Sequence, residues 1–189
     1  MIGAVLAGGS GTRLGRGSKA AALLAGRPLV AYPVDALAQA CERIAIVCKS
    51  DTVLPELSGV ERWDEPDTPR HPLTGIVHAL ETAQAPVLVC AADMPFVTAD
   101  ACRTLLRAAG ASPVVAATAA GVLQPTFALY APAALDELRA APGDAPLTRT
   151  VEALDPTRVA LPPGLVRSVN TPEELAEAEA VLRAPSERS

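Results

Sequence analysis

The sequence LAGGSGTRLG occupies residues 6–15 and decides how the rest of the chain is understood. It follows an apolar run, residues 2–6, of the kind that forms a buried strand. Glycines in such a turn let backbone N–H groups approach an anion closely and adopt positive φ. Arg13 and Lys19 stand among and just after them and can donate charge-assisted hydrogen bonds to phosphate oxygens. The stretch therefore predicts a turn that holds the triphosphate of a nucleotide.

Two common nucleotide-binding motifs do not fit this turn. The dinucleotide fingerprint G-x-G-x-x-G would need a glycine one residue before Gly15. The P-loop needs Ser or Thr after its lysine, whereas Lys19 is followed by alanine. An ordinary tight turn without a ligand is the remaining alternative, but such a turn has no need of an arginine and a lysine.

Composition narrows the class of protein. The chain has 189 residues, of which 50% are hydrophobic and 20% charged, so we expect one domain over residues 1–184 with a frayed tail at 185–189. A formal net charge of -5 argues against a nucleic-acid binder. The N-terminus has no basic region before its short apolar run, and no apolar segment approaches the length of a membrane span. We therefore expect a cytoplasmic protein that makes no contact with membranes.

The four cysteines, Cys41, Cys48, Cys90 and Cys102, show no C-x-x-C spacing. We therefore expect no zinc binding, and we expect free thiols that are buried or half-buried.

Short apolar runs alternate with longer helical patterns along the chain. Strands are predicted at residues 2–6, 43–48, 85–91, 112–117 and 124–130, and helices at residues 28–40, 72–82, 98–108 and 171–182. Runs that are apolar on both faces and separated by helices indicate an α/β fold whose mostly parallel sheet is covered on both sides. Ligands bind at the carboxyl ends of the strands in such sheets, so residues just after each strand are the candidates for a site.

Two polar residues are candidates for such a site. Asp93 follows the third predicted strand directly and is suited to hold Mg²⁺ against phosphates, although an aspartate before Pro95 also suits a simple turn. Asn170 precedes Thr171, which with Glu174 predicts a capped helix start. Asn170 is a second candidate ligand for metal or phosphate.

The glycine-rich turn, with a lysine shortly after it, resembles the signature of nucleoside-triphosphate transferases, which include the sugar-nucleotide pyrophosphorylases. Further matching pieces are WD at residues 63–64, HPLTG at 71–75, ADMPF at 92–96, QP with FALY at 124–130 and VNTPEEL at 169–175. Together, and in this order over essentially the whole chain, they resemble the molybdenum cofactor guanylyltransferases, the MobA-like proteins.

This resemblance implies a Rossmann-like three-layer sandwich of the nucleotide-diphospho-sugar transferase type. It also implies GTP as donor, Mg²⁺ as cofactor, molybdopterin as acceptor and transient contact with proteins that handle the molybdenum cofactor. Carried over residue by residue, it implies nucleotide contacts for Leu6, Ala7, Gly8, Lys19, Asp64 and Asp93. The Asp64 carboxylate could accept hydrogen bonds from guanine N1–H and N2–H. The remaining residues predicted to bind the nucleotide are Gly9, Ser10 and Gly11 of the turn and Leu73 and Gly75 of HPLTG. Arg13, Lys19 and Asp93 are predicted to be catalytic, and Asp93 and Asn170 to contact the metal.

The chain departs from the family pattern at three places. Ser18 stands where relatives commonly have aspartate, a family asparagine is replaced near Val47, and His71 takes the place of the first glycine in a G-P-L-x-G turn. Alternatives to guanylyl transfer are CMP or GMP transfer to another small phosphorylated acceptor, a non-catalytic NTP-binding accessory protein, and an NAD-dependent oxidoreductase. The late third glycine disfavours the last of these.

Overall fold

The structure is a computed structural model that describes residues 1–8, 19–143 and 145–184, without the side chain of Lys19. The strands are β1 Ile2–Leu6, β2 Leu23–Leu24, β3 Arg27–Pro28, β4 Arg43–Cys48, β5 Val60–Asp64, β6 Val87–Ala91, β7 Val114–Ala119, β8 Val122–Tyr130 and β9 Thr157–Ala160. The α-helices are α1 Ala31–Ala38, α2 Pro72–Ala83, α3 Ala99–Arg107, α4 Leu135–Ala140, α5 Leu147–Glu152 and α6 Pro172–Arg183.

Seven strands form one sheet in the order β5-β4-β1-β6-β8-β7-β9. Every neighbouring pair is parallel except the two pairs made by β8, so β8 alone runs against the others. The chain moves outward from β1 to β4 and β5 on one side and returns to β6 on the other. The order of the strands therefore reverses between β1 and β6, which is the position where open α/β sheets bind ligands.

Helices cover both faces of this sheet. One core joins alternate strand residues such as Val5 and Ile46 to α1 and α3. The other joins Ala4 and Val47 to α2, α4 and α5. Successive side chains of a strand point to opposite faces of the sheet, and here both faces are buried. These strands therefore do not alternate between apolar and polar residues. The predicted fold class, a three-layer α/β sandwich with a mostly parallel sheet, is confirmed.

The largest difference from the predicted elements is at residues 23–30. The predicted helix 28–40 begins only at Ala31, because the preceding residues form the hairpin of β2 and β3. Its two-residue turn, Ala25 and Gly26, has positive φ at both positions, as the twist of a tight hairpin requires. β5 and β9 were also not predicted, whereas β4 agrees with its prediction at both ends.

The four cysteines are free thiols, as predicted, and only Cys41 is partly exposed. Burial raises the pKa of Cys41 and of Cys48 to about 11, so neither is a reactive thiolate at neutral pH. Within the described ranges, no helix is both long enough and apolar enough to cross a membrane.

Candidate functional site

A pocket opens at the carboxyl ends of β1 and β6, where the strand order reverses. It is lined by Leu6, Ala7 and Gly8 at the end of β1, Ala20, Glu65 after β5, Arg70 to Pro72 and Gly75 at the start of α2, Ala91 to Asp93 at the end of β6, Thr126 on β8, and Ser168. Five of the predicted nucleotide-binding residues, Leu6, Ala7, Gly8, Gly75 and Asp93, therefore meet in one place.

Backbone hydrogen bonds fix the floor of this pocket. The N–H of Ala7 donates to the carbonyl of Val47 at 2.8 Å, and the N–H of Ala92 donates to the carbonyl of Leu6 at 3.0 Å. These bonds extend the parallel pairing of β4, β1 and β6 beyond the ends of the strands. As a result, Gly8 and Asp93 follow two paired strands at the same end of the sheet, and both line the pocket.

Glu65 lies against two glycines. A Cβ atom on Gly8 would sit 1.9 Å from Glu65 Oε1, and one on Gly75 would sit 3.1 Å from Glu65 Oε2. A side chain at position 8 would occupy the space of the carboxyl group, whereas a Cβ at position 75 would only be in tight contact with it. The close approach of Glu65 therefore favours glycine strongly at position 8 and more weakly at position 75.

The carboxyl group of Glu65 is paired with a buried lysine. Lys49 Nζ lies 3.4 Å from Glu65 Oε1, and the side chains of Lys49 and Glu65 are 1% and 4% exposed. Burial raises the pKa of Glu65, while the charge of Lys49 opposes that rise. The second oxygen, Oε2, is buried and has no hydrogen-bond partner in the described part of the chain. Such an oxygen is a strong acceptor for a ligand N–H.

Asp64, the predicted base-contacting residue, lies elsewhere. Its side chain is 56% exposed and its Oδ1 accepts a hydrogen bond from Arg62 Nε at 2.7 Å. It does not contribute to the pocket lining formed by the described residues. The structure brings its neighbour Glu65 into the pocket instead.

The start of α2 closes one side of the pocket. His71 caps this helix, with Nδ1 accepting from the N–H of Leu73 at 3.2 Å, and Pro72 occupies the first turn. Leu73, which was predicted to contact the nucleotide, is buried in the core beneath α2. The His71 side chain, at the position where the family pattern predicts glycine, therefore caps the start of α2.

Asp93 and Asn170 come from different elements that are joined by backbone. The N–H of Val169 donates to the carbonyl of Asp93 at 2.8 Å, which places Asn170 one residue away from that link. Asn170 is exposed and its own N–H donates to Glu174 Oε2 at 2.6 Å. Asp93 lines the pocket, and from the loop before α6 it is Ser168 that does so.

The Asp93 carboxylate suits a hard cation. Among the described residues no three His, Cys, Asp or Glu side chains cluster as a metal cage. A single carboxylate at a phosphate site fits an ion such as Mg²⁺, which binds one or two carboxylates and takes its other ligands from phosphate and water.

Several predicted residues lie outside the described part of the chain. They are Gly9, Ser10, Gly11 and Arg13, together with the side chain of Lys19. The backbone of Lys19 begins a 3₁₀ helix over Lys19–Ala21, whose second residue, Ala20, lines the pocket. The described residues on either side of the gap, Gly8 and Ala20, therefore both line the pocket.

Sequence reasoning missed Glu65, Lys49, Arg70, Thr126 and Ser168. Glu65 carried a usable signal, since it follows β5 as Asp93 follows β6, but the strand itself was not recognised. Lys49 directly follows β4 and obeys the same rule. Thr126 and Ser168 lack any sequence signal that separates them from other hydroxyl residues.

Comparison with known proteins places this geometry in a family. Residues 3–158 match the model of the MobA-like NTP transferase domain. A molybdenum cofactor guanylyltransferase of Cereibacter sphaeroides is 34% identical over 191 residues, which cover 97% of both chains.

Solved structures agree in fold. A molybdopterin-guanine dinucleotide biosynthesis protein A of Archaeoglobus fulgidus has a TM-score of 0.75 at 23% identity and covers 96% of this chain and 98% of its own. A 2-C-methyl-D-erythritol 4-phosphate cytidylyltransferase of Thermus thermophilus has a TM-score of 0.72 at 18% identity, with coverage of 96% and 98%. With its glycine-rich turn, its pocket between β1 and β6 and its match over most of its length, the chain belongs to the MobA-like NTP transferase family and is a nucleotidyltransferase.

Proposed function

We propose that the chain transfers GMP from GTP to molybdopterin and releases pyrophosphate. The observation that carries this proposal is the buried Glu65 carboxyl group beside the nucleotide turn, with one oxygen directed at no protein donor in the described chain. Guanine presents two adjacent donors, N1–H and N2–H, which a carboxylate accepts well. Full-length similarity to a molybdenum cofactor guanylyltransferase supports both the base and the acceptor.

The reaction is an in-line displacement. A terminal phosphate oxygen of the acceptor attacks the α-phosphorus of GTP, and the bond from that phosphorus to the α–β bridging oxygen breaks. The electron pair leaves with pyrophosphate, and the acceptor gains GMP. A phosphate nucleophile is already ionised at neutral pH, so the protein needs no general base and acts by positioning and by charge neutralisation.

The polar residues of the site bind either the phosphates of GTP or the metal ion. Arg13 and Lys19 bind the β- and γ-phosphates of GTP and hold the leaving group in line. Asp93 binds Mg²⁺ at the phosphates, with Asn170 as a second candidate ligand. When bound, Mg²⁺ neutralises charge that develops on the nonbridging and leaving oxygens.

Base selection follows from Glu65. Adenine and cytosine each present one exocyclic amino group next to a ring-nitrogen acceptor, so either base would offer the buried carboxylate a single donor beside a repelling lone pair instead of the adjacent N1–H and N2–H of guanine. Sites that contain a committed hydrogen-bonding group reject ligands that cannot satisfy it. This assigns to Glu65 the part that the sequence had suggested for Asp64.

Glu65→Gln should lower catalytic efficiency with GTP by about 10- to 100-fold, because hydrogen bonds to a charged group contribute about 1.5–3 kcal/mol. Asp64→Asn is the matched control, since it removes the adjacent exposed carboxylate and should change GTP use less than about threefold. The measurement is pyrophosphate release with molybdopterin and GTP, CTP or ATP.

Three results would contradict the proposal. Equal use of CTP and GTP by the unaltered protein would exclude guanine selectivity. Lack of any pyrophosphate release in the presence of molybdopterin would exclude the acceptor. A loss of GTP preference in Asp64→Asn, with none in Glu65→Gln, would return the base-reading role to Asp64.

Lys19→Ala and Arg13→Ala should each reduce turnover with GTP by about 10- to 100-fold, through lost charge-assisted contacts with the triphosphate. The binding of guanosine, which has no phosphates, should stay unchanged in both variants and serves as the control. A variant that retains the kinetics of the unaltered protein would remove its residue from the triphosphate site.

The proposal also concerns the compartment of the reaction and the proteins that the chain would meet there. GTP and molybdopterin are small molecules, and we place the reaction in the cytoplasm. A transient encounter with proteins that handle the molybdenum cofactor would supply the acceptor and remove the product.

A further inference from the structure

Lys49 is a buried cation directly behind the pocket. It follows β4, and its residue exposure is 0%. Removing a lysine ammonium from water costs several kcal/mol unless its donors are satisfied. The contacts of the ammonium group compensate for this cost of burial.

The ammonium group is fully engaged. Nζ donates to the carbonyl of Pro66 at 2.5 Å and to that of Pro69 at 3.0 Å, and it contacts Glu65 Oε1 at 3.4 Å. An ammonium group has three N–H donors. With three acceptors in place it has no donor left for a nucleotide phosphate, so Lys49 can act on a ligand only through its neighbours.

Those neighbours define what Lys49 controls. The carbonyls of Pro66 and Pro69 belong to the turn that leads from β5 to α2, and Glu65 begins that turn. Lys49 binds one carboxylate oxygen and leaves the other, Oε2, for the pocket. The burial that raises the pKa of Glu65 is opposed first by the charge of Lys49 and then by that of Arg70.

We infer that Lys49 is a positioning residue for base selection: it holds the Glu65 carboxylate and its negative charge at the base end of the pocket, so that Oε2 accepts an N–H of guanine. The inference rests on the proposed guanine-reading role of Glu65 and adds a second, non-contacting determinant of specificity. Without Lys49 the carboxyl group would be buried beside Gly8 and Gly75 with no attached cation, and a proton would replace the missing charge. A protonated carboxyl group is a poorer match for two donors.

A purely structural role makes a different prediction. If Lys49 only fastened the turn at Pro66 and Pro69, its loss would weaken the binding of all nucleotides equally. It would do so whether or not Glu65 carries a charge. A specificity role requires that the effect of Lys49 depend on Glu65 and on the base. A double-mutant cycle separates the two.

The experiment compares the unaltered protein with Lys49→Met, Glu65→Gln and the double variant. Equilibrium dissociation constants for GTP, ITP and CTP are measured calorimetrically with Mg²⁺ present. ITP keeps N1–H but lacks the exocyclic amino group, so it reports on one donor of the pair. Replacing both members of a buried ion pair is often tolerated, so the double variant is expected to fold.

Arg62→Met is the matched control. Arg62 donates to the carbonyls of Lys49, Ser50 and Thr52 and therefore fastens the segment that carries Lys49. Its ion-pair partner is the exposed Asp64 and not the buried Glu65. This variant should loosen the segment without changing the ratio of GTP to CTP affinity. Lys49→Gln, which keeps N–H donors without the charge, replaces Lys49→Met if the latter does not fold.

We expect Lys49→Met to weaken the binding of GTP at least tenfold, that of ITP less and that of CTP least. In the Glu65→Gln background, the same substitution should change GTP affinity less than about threefold. Equal losses for GTP and CTP, or equal losses in both Glu65 backgrounds, would overturn the positioning role while leaving guanylyl transfer intact. Absence of any GTP preference in the unaltered protein would overturn the proposed function, and this inference with it.

Discussion

Asp93→Asn is expected to reduce guanylyl transfer by about 10³-fold or more, because charge stabilisation by a bound metal contributes several kcal/mol to such reactions. Asparagine has the shape of aspartate but lacks the negative charge. The backbone link from Val169 to the Asp93 carbonyl does not involve the side chain and should persist. The fold should therefore be intact, as measured by an unchanged unfolding temperature.

The matched control is Asp100→Asn, in the first turn of α3. Its carboxylate is 90% exposed and pairs with Arg103, so it should not affect turnover. Pyrophosphate release is measured at increasing Mg²⁺ concentration for both variants. Turnover of Asp93→Asn that reaches the level of the unaltered protein at saturating Mg²⁺ would show that Asp93 does not anchor the ion. Turnover with no Mg²⁺ added, in the presence of a chelator, would remove the metal from the reaction.

The central strands could be predicted from sequence because both of their faces are buried. β1, β4 and β6 appear as unbroken apolar runs with only their ends uncertain. β5 could not be recognised in this way: it lies at the sheet edge and reads VERWD, in which three of the five residues are charged. β9, at the opposite edge, has two exposed residues at its start and no apolar run.

The missed edge strand also explains the difference between Asp64 and Glu65. Successive side chains along a strand point to opposite sides. Trp63 and Glu65 are buried, and Asp64 between them is exposed. Two adjacent carboxylates therefore have opposite environments, and only the register of β5 determines which one enters the pocket. The family resemblance pointed to Asp64, whereas Glu65 is the member of the pair that lines the pocket.

Residues that follow recognised strands were easier to place. Asp93 was predicted from its position after β6 together with the glycine-rich turn, and the structure puts it in the pocket with Gly8. The Lys49–Glu65 pair needed three-dimensional information, since a lysine and a glutamate 16 positions apart have no sequence pattern. Burial of both charges is what distinguishes this pair from the exposed ion pairs on the surface.

Gly8→Ala is expected to have the second-largest effect, a loss of about 100-fold in catalytic efficiency with GTP. The new Cβ would sit 1.9 Å from Glu65 Oε1, far inside contact distance. A free carboxylate would simply turn aside, but this one is tied to Lys49 and enclosed by Gly75. Either Glu65 leaves its place or the backbone after β1 shifts, and overpacking of this kind costs about 1–3 kcal/mol.

Gly75→Ala provides a graded comparison. Its Cβ would meet Glu65 Oε2 and Leu6 Cδ2, each at 3.1 Å, so small movements suffice and the loss should be smaller than for Gly8→Ala. Catalytic efficiency with GTP and the unfolding temperature are measured for both variants. A larger loss for Gly75→Ala than for Gly8→Ala would contradict the ordering that these distances predict.

A compensating change tests whether the effect of Gly8→Ala passes through Glu65. Glu65→Asp shortens the side chain by one methylene, keeps the charge and withdraws the carboxylate from the added Cβ. We expect the double variant Gly8→Ala with Glu65→Asp to unfold at a higher temperature than Gly8→Ala alone, because the clash is relieved while Lys49 keeps an anionic partner. Its preference for GTP over CTP should recover in part. If Glu65→Asp lowers stability by the same amount with glycine or alanine at position 8, the two residues are uncoupled, and Gly8 is required for its backbone near the phosphates and not for its contact with Glu65.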